Sequence, residues 1–385
     1  MSSKTIDSAA IPRGLYVHIP FCLKKCHYCD FVITTKRSPS DRLDFFKALF
    51  AEIEAVSKKH GRLKFDTFYL GGGTPSALSS EEMTRLVDFI KERFDFSPGF
   101  EFTCEVNPGD IDIKKLESYK KLGINRISLG VQSFQDHLLE DMGRPHKVSD
   151  IFTTHKILKE TGFENISFDL INGLPKQTLR EFRDSLEQLV QMQASQLSLY
   201  DLDVHEKTVY GLRRRENRLP VPDEDVRAEM YEAVQSVMTA NGYHHYEIST
   251  FAKPGFESRH NLLYWHNQEY LGLGPGAFSY LDGVRYQFSG DVRGYLEKSH
   301  AGNWTPDSRD ELTAEEKEKE TLFTGLRLLK GVDLNSFSVI TEKLHKKLKT
   351  AKPYGLFEIR ENRLYLTAKG RALAERSFRI LLEKE

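Results

Sequence analysis

Between Leu15 and Leu202 the apolar positions follow two rhythms. Short dense runs read as strands: LYVHI from Leu15, DTFYL from Asp66, FEFTCEV from Phe100, NRISLG from Asn125, NISFDLI from Asn165 and QLSLYDL from Gln196. Between them DRLDFFKALFAEIEAV, SSEEMTRLVDFIKERF, VSDIFTTHKILKET and LREFRDSLEQLVQM carry apolar residues at three- and four-residue spacing, the period of an amphipathic helix. Ser79 or Ser80 ahead of Glu82, and Thr178 ahead of Glu181, predict N-caps, since a hydroxyl and a carboxylate three residues apart satisfy each other's free backbone N–H groups. Alternating strand and helix requires parallel strands with right-handed crossovers, hence an α/β sheet or barrel. About six such units fall short of the eight of a closed barrel, and an incomplete barrel leaves a side open for a bulky substrate.

The pattern changes after Gly302. NWTPDSRDELTAEEKEKE is polar and charged, with Thr313 and Glu316 in capping-box spacing ahead of the apolar face Leu322, Leu326 and Leu329. A second helix is predicted over Asn335–Lys349, then a hairpin in LFEIRENRLYLT turning at Glu361-Asn362, then a helix from Ala368. The organisation this predicts is a disordered tail over 1–12, a large α/β domain over 13–302 and a small winged-helix-like α+β domain over 303–385. The lysines of that last domain (Lys343, Lys346, Lys347, Lys349, Lys352) read as a solvated helix face.

Composition removes some classes of partner. The 385 residues include 55 basic and 56 acidic side chains, a formal net charge of -1, so there is no general attraction for nucleic acid or an anionic membrane. No run reaches the roughly 20 apolar residues of a membrane span, and the opening MSSKTIDSAA lacks the apolar core of a signal peptide. The expected location is the cytosol. In that reducing compartment clustered cysteines hold metal or do redox chemistry rather than form structural disulfides.

Three of the four cysteines, Cys22, Cys26 and Cys29, fall in the stretch FCLKKCHYC. A cubane iron-sulfur cluster takes one thiolate per iron, so three cysteines leave one iron with an open position. A structural zinc site would close its tetrahedron with a fourth Cys or His, and His18 and His27 are near enough in sequence to keep zinc open. Cys104, in FEFTCEV, has the setting of a buried core residue.

The spacing C-x3-C-x2-C with Tyr28 before the third cysteine resembles the radical S-adenosylmethionine superfamily. The resemblance implies a 4Fe-4S cluster whose open iron binds S-adenosylmethionine, and a partial (β/α)6 TIM-like barrel. YVHIPFC, GGGTP, EVNP, LGVQSF, GRPH, FDLINGLPKQT and LSLYDL further resemble, in order and spacing, the HemN/HemW group of porphyrin and heme proteins, from Gly14 onward. By that resemblance Tyr16, Tyr28, Gly72 and Glu105 line the primary S-adenosylmethionine site. Gly73, Thr74, Gln132, Arg144, Asp169 and Asp203 fall where HemN-type members hold a second nucleotide, and Phe278 where they close over the first. Taken one at a time, Arg144 reads equally well as an ion-pair partner, Asp169 as a strand-end cap and Gln132 as a backbone hydrogen-bonder.

Within the group two branches compete. HemN-type coproporphyrinogen III dehydrogenases have a longer N-terminal extension and a cysteine two places after the third ligand, where this chain has Phe31. HNLLYW, His260 to Trp265, matches the HNxxYW motif of the heme-chaperone branch, as does KPG at Lys253. His260 could be an axial heme ligand with Tyr264 and Trp265 as flat apolar surface; the competing reading makes His260 a loop hydrogen-bonder and the aromatics core. The resemblance implies heme and recipient heme proteins as partners, and a cluster-linked homodimer. One departure stands out: His205 occupies the usual glutamate of L-x-x-E-P-x-T, with Glu206 beside it. The expectation is a heme-binding chaperone; its alternatives are the dehydrogenase, a HemN-like radical methyltransferase and a zinc-binding interaction protein.

Overall fold

The computed structural model describes residues 12–382, so the expected tail lies almost wholly outside the described residues. Six parallel strands form the frame: β1 (Gly14–Ile19), β2 (Lys64–Gly72), β3 (Asp95–Val106), β4 (Arg126–Gln132), β5 (Ile166–Asn172) and β6 (Gln196–Asp201). They neighbour one another in chain order. Each corresponds to one predicted run.

The connecting helices cover the predicted segments: Pro39–His60, Ser80–Arg93, Val148–Glu160 and Leu179–Gln191. Ser79 with Glu82, and Thr178 with Glu181, form reciprocal capping boxes, as does Ser38 with Asp41. Ile113–Leu122 adds a crossover helix absent from the sequence expectation; its short IKKLESYKKL buries only Leu116, Tyr119 and Leu122.

Strand alternation separates two environments. Leu15, Val17 and Ile19, then Phe68 and Leu70, Phe102 and Cys104, Ile127 and Leu129, Phe168 and Leu170, and Leu197 and Leu199 are buried together in one continuous core. Cys104 belongs to this layer. The intervening positions are Tyr16, His18, Tyr69, Thr103, Glu105, Ser128, Ser167, Asp169 and Ser198. Because successive side chains of a strand point to opposite faces, one face of the sheet is apolar and the other polar. The polar face is the wall on which the site is built.

The sheet continues past the six strands on both sides. β7 (His244–Glu247) and β8 (Thr250–Ala252) extend it antiparallel from β6. β9 (Tyr270–Leu273) lies parallel to β1, followed outward by β10 (Phe278–Leu281), β11 (Val284–Gln287) and β12 (Ser308–Glu311). Residues just beyond 302 thus still supply an edge strand to the large sheet.

A separate apolar cluster, including Leu322, Val332, Leu344, Leu364 and Phe378, sits beneath a three-stranded antiparallel sheet of β13 (Val332–Asp333), β14 (Phe357–Arg360) and β15 (Arg363–Leu366). Thr313 and Glu316 form their capping box at the start of Ala314–Gly325. The hairpin turns at Glu361 and Asn362, whose φ values of 47° and 60° match a two-residue type I′ turn. The helix predicted from Asn335 begins at Thr341, because Asp333 instead caps a short 3-10 turn over Leu334–Ser336. The helix from Ala368 breaks at Leu373 and resumes at Ala374–Leu382.

Candidate cluster and cofactor site

The three clustered cysteines lie on a loop without regular structure that leaves β1 and is pinned at three points. Phe21 is buried edge-on against Phe45, 5.1 Å between ring centroids. The Cys22 N–H donates to the Thr34 carbonyl (3.0 Å), and the Thr34 N–H to that of Pro20 (2.8 Å). In the middle, His27 donates from its backbone to Met142 and contacts the Asp141 carbonyl through Nδ1 at 2.6 Å. Cys22, Cys26 and Cys29 are consequently half-buried and face a cavity.

That cavity, of about 360 Å³, opens at the C-terminal ends of the parallel strands, the end where α/β folds bind ligands. Its wall includes the three cysteines, Tyr28, Gly72, Gly73, Thr74, Glu105, Gln132, Arg144, Asp169 and Asp203. A chain of polar contacts joins two of the cysteines. Cys22 Sγ lies 3.4 Å from Thr74 Oγ1, which accepts from Asn107 Nδ2 at 3.1 Å. Asn107 Oδ1 accepts from Arg144 Nη2 at 2.6 Å, and Arg144 Nη1 approaches Cys26 Sγ at 3.7 Å. Arg144 Nε is buried with no partner, so the guanidinium still has a donor to offer.

Burial shifts the titration of these groups. It pushes the Cys22 thiol up to about 11 against the opposing Thr74 hydrogen bond, and raises Cys29 as well. Iron coordination would displace those protons, with Arg144 placing positive charge beside the thiolates. Burial also raises Glu105 to about 7, opposed by the Tyr69 hydrogen bond, and Asp169 to about 6, opposed by Ser128 and Ser198.

A second cavity shares Gly72, Glu105, Asp30 and Phe31 with the first and adds Tyr16, His18, Val32, Tyr264, Tyr270 and Phe278. His18 Nε2 lies 2.7 Å from the Val32 carbonyl and so donates to it, which leaves Nδ1 to accept from the Tyr16 hydroxyl at 3.0 Å. Burial lowers His18 to about 4, keeping it neutral. The glycine loop must lack side chains here. Gly72 has φ +110°, and a Cβ on it would sit 2.5 Å from the His18 ring; one on Gly73 would lie 2.7 Å from the Pro20 carbonyl carbon. The Gly72 N–H donates to Glu105 Oε2 at 3.0 Å while Tyr69 donates to Oε1 at 2.9 Å. Gln132 occupies the left-handed region at φ 66°, at a register shift between β4 and β5, a conformation costing about 1–2 kcal/mol for a residue with a Cβ.

His260 is the expected site residue that neither cavity includes. Its ring is 2% exposed, stacks on Tyr69 at 5.0 Å, and has both nitrogens engaged: Nδ1 with Thr67 Oγ1 at 2.7 Å and Nε2 with the Tyr264 hydroxyl at 2.9 Å. Burial lowers it to about 3. In this conformation both imidazole nitrogens are hydrogen-bonded, so axial ligation of iron would require one of these bonds to break. Arg327 covers the Trp265 ring at 4.4 Å, so that face is also taken; of the motif, Tyr264 lines the second cavity.

Sequence reasoning passed over Asn107, Ser128, Tyr69 and Tyr200. Asn107 and Tyr200 sit inside the quoted EVNP and LSLYDL motifs, and Tyr69 and Ser128 at alternating strand positions, so motif membership and period-two spacing could have found all four.

The cysteine set fits an iron-sulfur cluster better than a single ion. The donors are three half-buried thiols on one loop that line one cavity, with no histidine among its lining residues but His205. A cubane takes its thiolates one per iron, whereas zinc needs its ligands gathered around one centre.

Comparison with known proteins agrees with the geometry. Residues 16–189 match the Radical SAM superfamily and residues 312–373 the HemN C-terminal domain. The chain is 40% identical to the heme chaperone HemW of Bacillus subtilis (strain 168), across 95% of this chain and 98% of that one. It is 36% identical to HemW of Lactococcus lactis, across 95% and 96%, and 34% identical to HemW of Escherichia coli (strain K12), across 86% of each. Its fold follows that of the Escherichia coli coproporphyrinogen III oxidase HemN, a radical SAM enzyme, with a TM-score of 0.85 and 24% identity over 96% of this chain and 90% of that one. Relatives this similar across nearly its whole length, together with the three-cysteine loop at the mouth of the six parallel frame strands, place this chain in the radical SAM superfamily, in the HemW family of the HemN/HemW group.

Proposed function

We propose that this chain is a heme chaperone that carries a 4Fe-4S cluster on Cys22, Cys26 and Cys29, binds S-adenosylmethionine beside it, and binds heme for delivery to heme-dependent, including respiratory, proteins in the cytosol or at the membrane face. The observation that carries the reading is the cavity in which three half-buried thiols meet the glycine loop and Glu105, in a chain with heme chaperones as relatives. Among the described residues no helix is long and apolar enough to cross a membrane.

The residues divide the work. Cys22, Cys26 and Cys29 would hold three irons of the cluster, and the open iron would take the amino and carboxylate groups of S-adenosylmethionine. Gly72 and Gly73 let the backbone approach the ligand closely, and Glu105, fixed by Tyr69 and the Gly72 N–H, sets a carboxylate beside it. Tyr16, Tyr28 and Phe278 supply aromatic wall; Thr74, Gln132, Arg144, Asp169 and Asp203 furnish the polar side on which a second nucleotide would lie. The reduced cluster supplies an electron for cleaving the sulfonium when that chemistry is used. A homodimer joined near the cluster loop completes the proposal.

The test is anaerobic reconstitution of the full chain followed by two assays. The reading expects hemin binding and transfer to an apo-hemoprotein, with no turnover of coproporphyrinogen III. Protoporphyrinogen formation with stoichiometric methionine and 5′-deoxyadenosine would establish the dehydrogenase instead; S-adenosylhomocysteine would establish a methyltransferase, and zinc without iron an interaction protein.

A further inference from the structure

The structure puts His205 on the rim of the first cavity. Its side chain is 46% exposed, with Nδ1 3.7 Å from Asp30 Oδ2 and Nε2 3.5 Å from Asp203 Oδ2. Neither nitrogen makes a hydrogen bond among the described residues. By contrast His18, His27 and His260 each commit at least one ring nitrogen to a contact between 2.6 and 3.0 Å. An imidazole at a cavity mouth, with carboxylates near both nitrogens but no hydrogen bond to either, has the setting of a metal ligand: ligating histidines commonly donate their other N–H to a carboxylate, which fixes the ring and strengthens the donor.

Two other features share that rim. Leu23, Phe31 and Tyr200 line the cavity and are exposed by 57%, 67% and 51%, a concentration of apolar surface of the kind that marks a binding face. Lys24 and Lys25, both exposed, line it as well. An apolar rim alone would take many ligands, an imidazole between carboxylates many metals, and two lysines any carboxylate. A ligand that meets all three is flat and apolar, carries a metal with an open axial position and bears carboxylates at one edge, which describes an iron porphyrin.

We propose that heme docks on the rim of the first cavity with the His205 imidazole as an axial iron ligand. One ring nitrogen binds iron and the other donates to Asp30 or Asp203, the apolar macrocycle meets Leu23, Phe31 and Tyr200, and the propionates turn toward Lys24 and Lys25. Asp203, 79% exposed, can swing from the nitrogen that iron takes. The inference rests on the heme-chaperone reading and names the iron ligand within it.

Full-length protein with its cluster reconstituted anaerobically is titrated with hemin, following the Soret difference spectrum and the ferric electron paramagnetic resonance. Relative to the parent, H205A is expected to lose the histidine-ligated ferric signal and to bind hemin about tenfold or more weakly, with added imidazole restoring the signal. H205E should behave like H205A without imidazole rescue of affinity to the parental level. Iron and sulfide content and S-adenosylmethionine binding should match the parent in both variants, which verifies folding. Parental affinity and spectrum in H205A would overturn the assignment while leaving the chaperone reading intact. Failure of the parent protein to bind hemin would overturn both.

Discussion

FCLKKCHYC and HNLLYW are both short motifs built of metal-binding and aromatic side chains, yet they end in opposite settings. The first is an irregular loop whose three thiols are half-buried on a cavity wall. The second lies in a seven-residue helix, Arg259–Trp265, whose histidine is packed beneath the sheet. Glu101 accepts the backbone N–H groups of Arg259 and His260, Thr67 holds one side of the imidazole, and Tyr264 the other. A metal-capable residue type is therefore not a metal-capable site until its lone pairs are free. The loop thiols make only long contacts, 3.4 Å to Thr74 and 3.7 Å from Arg144, whereas the helix histidine spends both nitrogens on short bonds to a strand residue and to its own helix.

The widest separation between the two regions should appear on mutation. Serine at any one of Cys22, Cys26 or Cys29 should abolish most cluster iron and sulfide after anaerobic reconstitution, with little change in the thermal midpoint of the apoprotein, since none of the three belongs to the apolar core. Full iron content in all three variants would break the comparison at its first term. His260→Ala should do the reverse. It leaves the Thr67 and Tyr264 hydroxyls without their partner and opens a void against Tyr69, at a cost of about 2–4 kcal/mol in urea unfolding of the apoprotein. Parental stability would show that the ring is spare, and so available as a ligand after all.

Glu105 links the two regions, because Tyr69 stacks on His260 and donates to Glu105. Burial raises this carboxyl from 4.5 to about 7, so the unfolded chain releases the proton at lower pH than the folded one. Its stabilising contribution is complete below pH 4.5 and is lost as pH rises through about 7. Glu105→Gln should remove that part of the slope in urea titrations between those limits; an unaltered slope would show that Glu105 does not titrate there. The smallest effect is expected at Leu23, 57% exposed on the cysteine loop, where alanine should change unfolding free energy by no more than about 0.5 kcal/mol. A larger loss would mean that the loop is structural in the way the His260 helix is.

Legibility in the sequence followed the range of the interactions involved. The capping boxes at Ser79, Thr178 and Thr313 and the turn at Glu361-Asn362 involve residues within four positions of one another, and the sequence shows them directly. The six frame strands were equally visible, because a strand buried on its outer face between two neighbours needs a dense apolar run. The strands from His244 to Glu311 were not: each is four residues or fewer, too short to establish a period, and they form by pairing with edges already present. The helix expected from Asn335 began late for a similar reason, since the chain first supplies β13 to a sheet whose other strands come later.

By itself, then, the sequence determined which residues could do chemistry and in what local order: three thiols at iron-cluster spacing, a glycine loop after a strand, and polar positions alternating along each strand. Tertiary structure alone decided which of them face empty space. Gathering Thr74, Asn107 and Arg144 between Cys22 and Cys26 takes the ends of several parallel strands, and enclosing His260 takes Thr67 and Tyr69 from β2. The same long-range packing left His205 between Asp30 and Asp203, on the open rim. Spacing along a chain is set by covalent geometry, but the availability of a lone pair depends on every neighbour the fold brings to it.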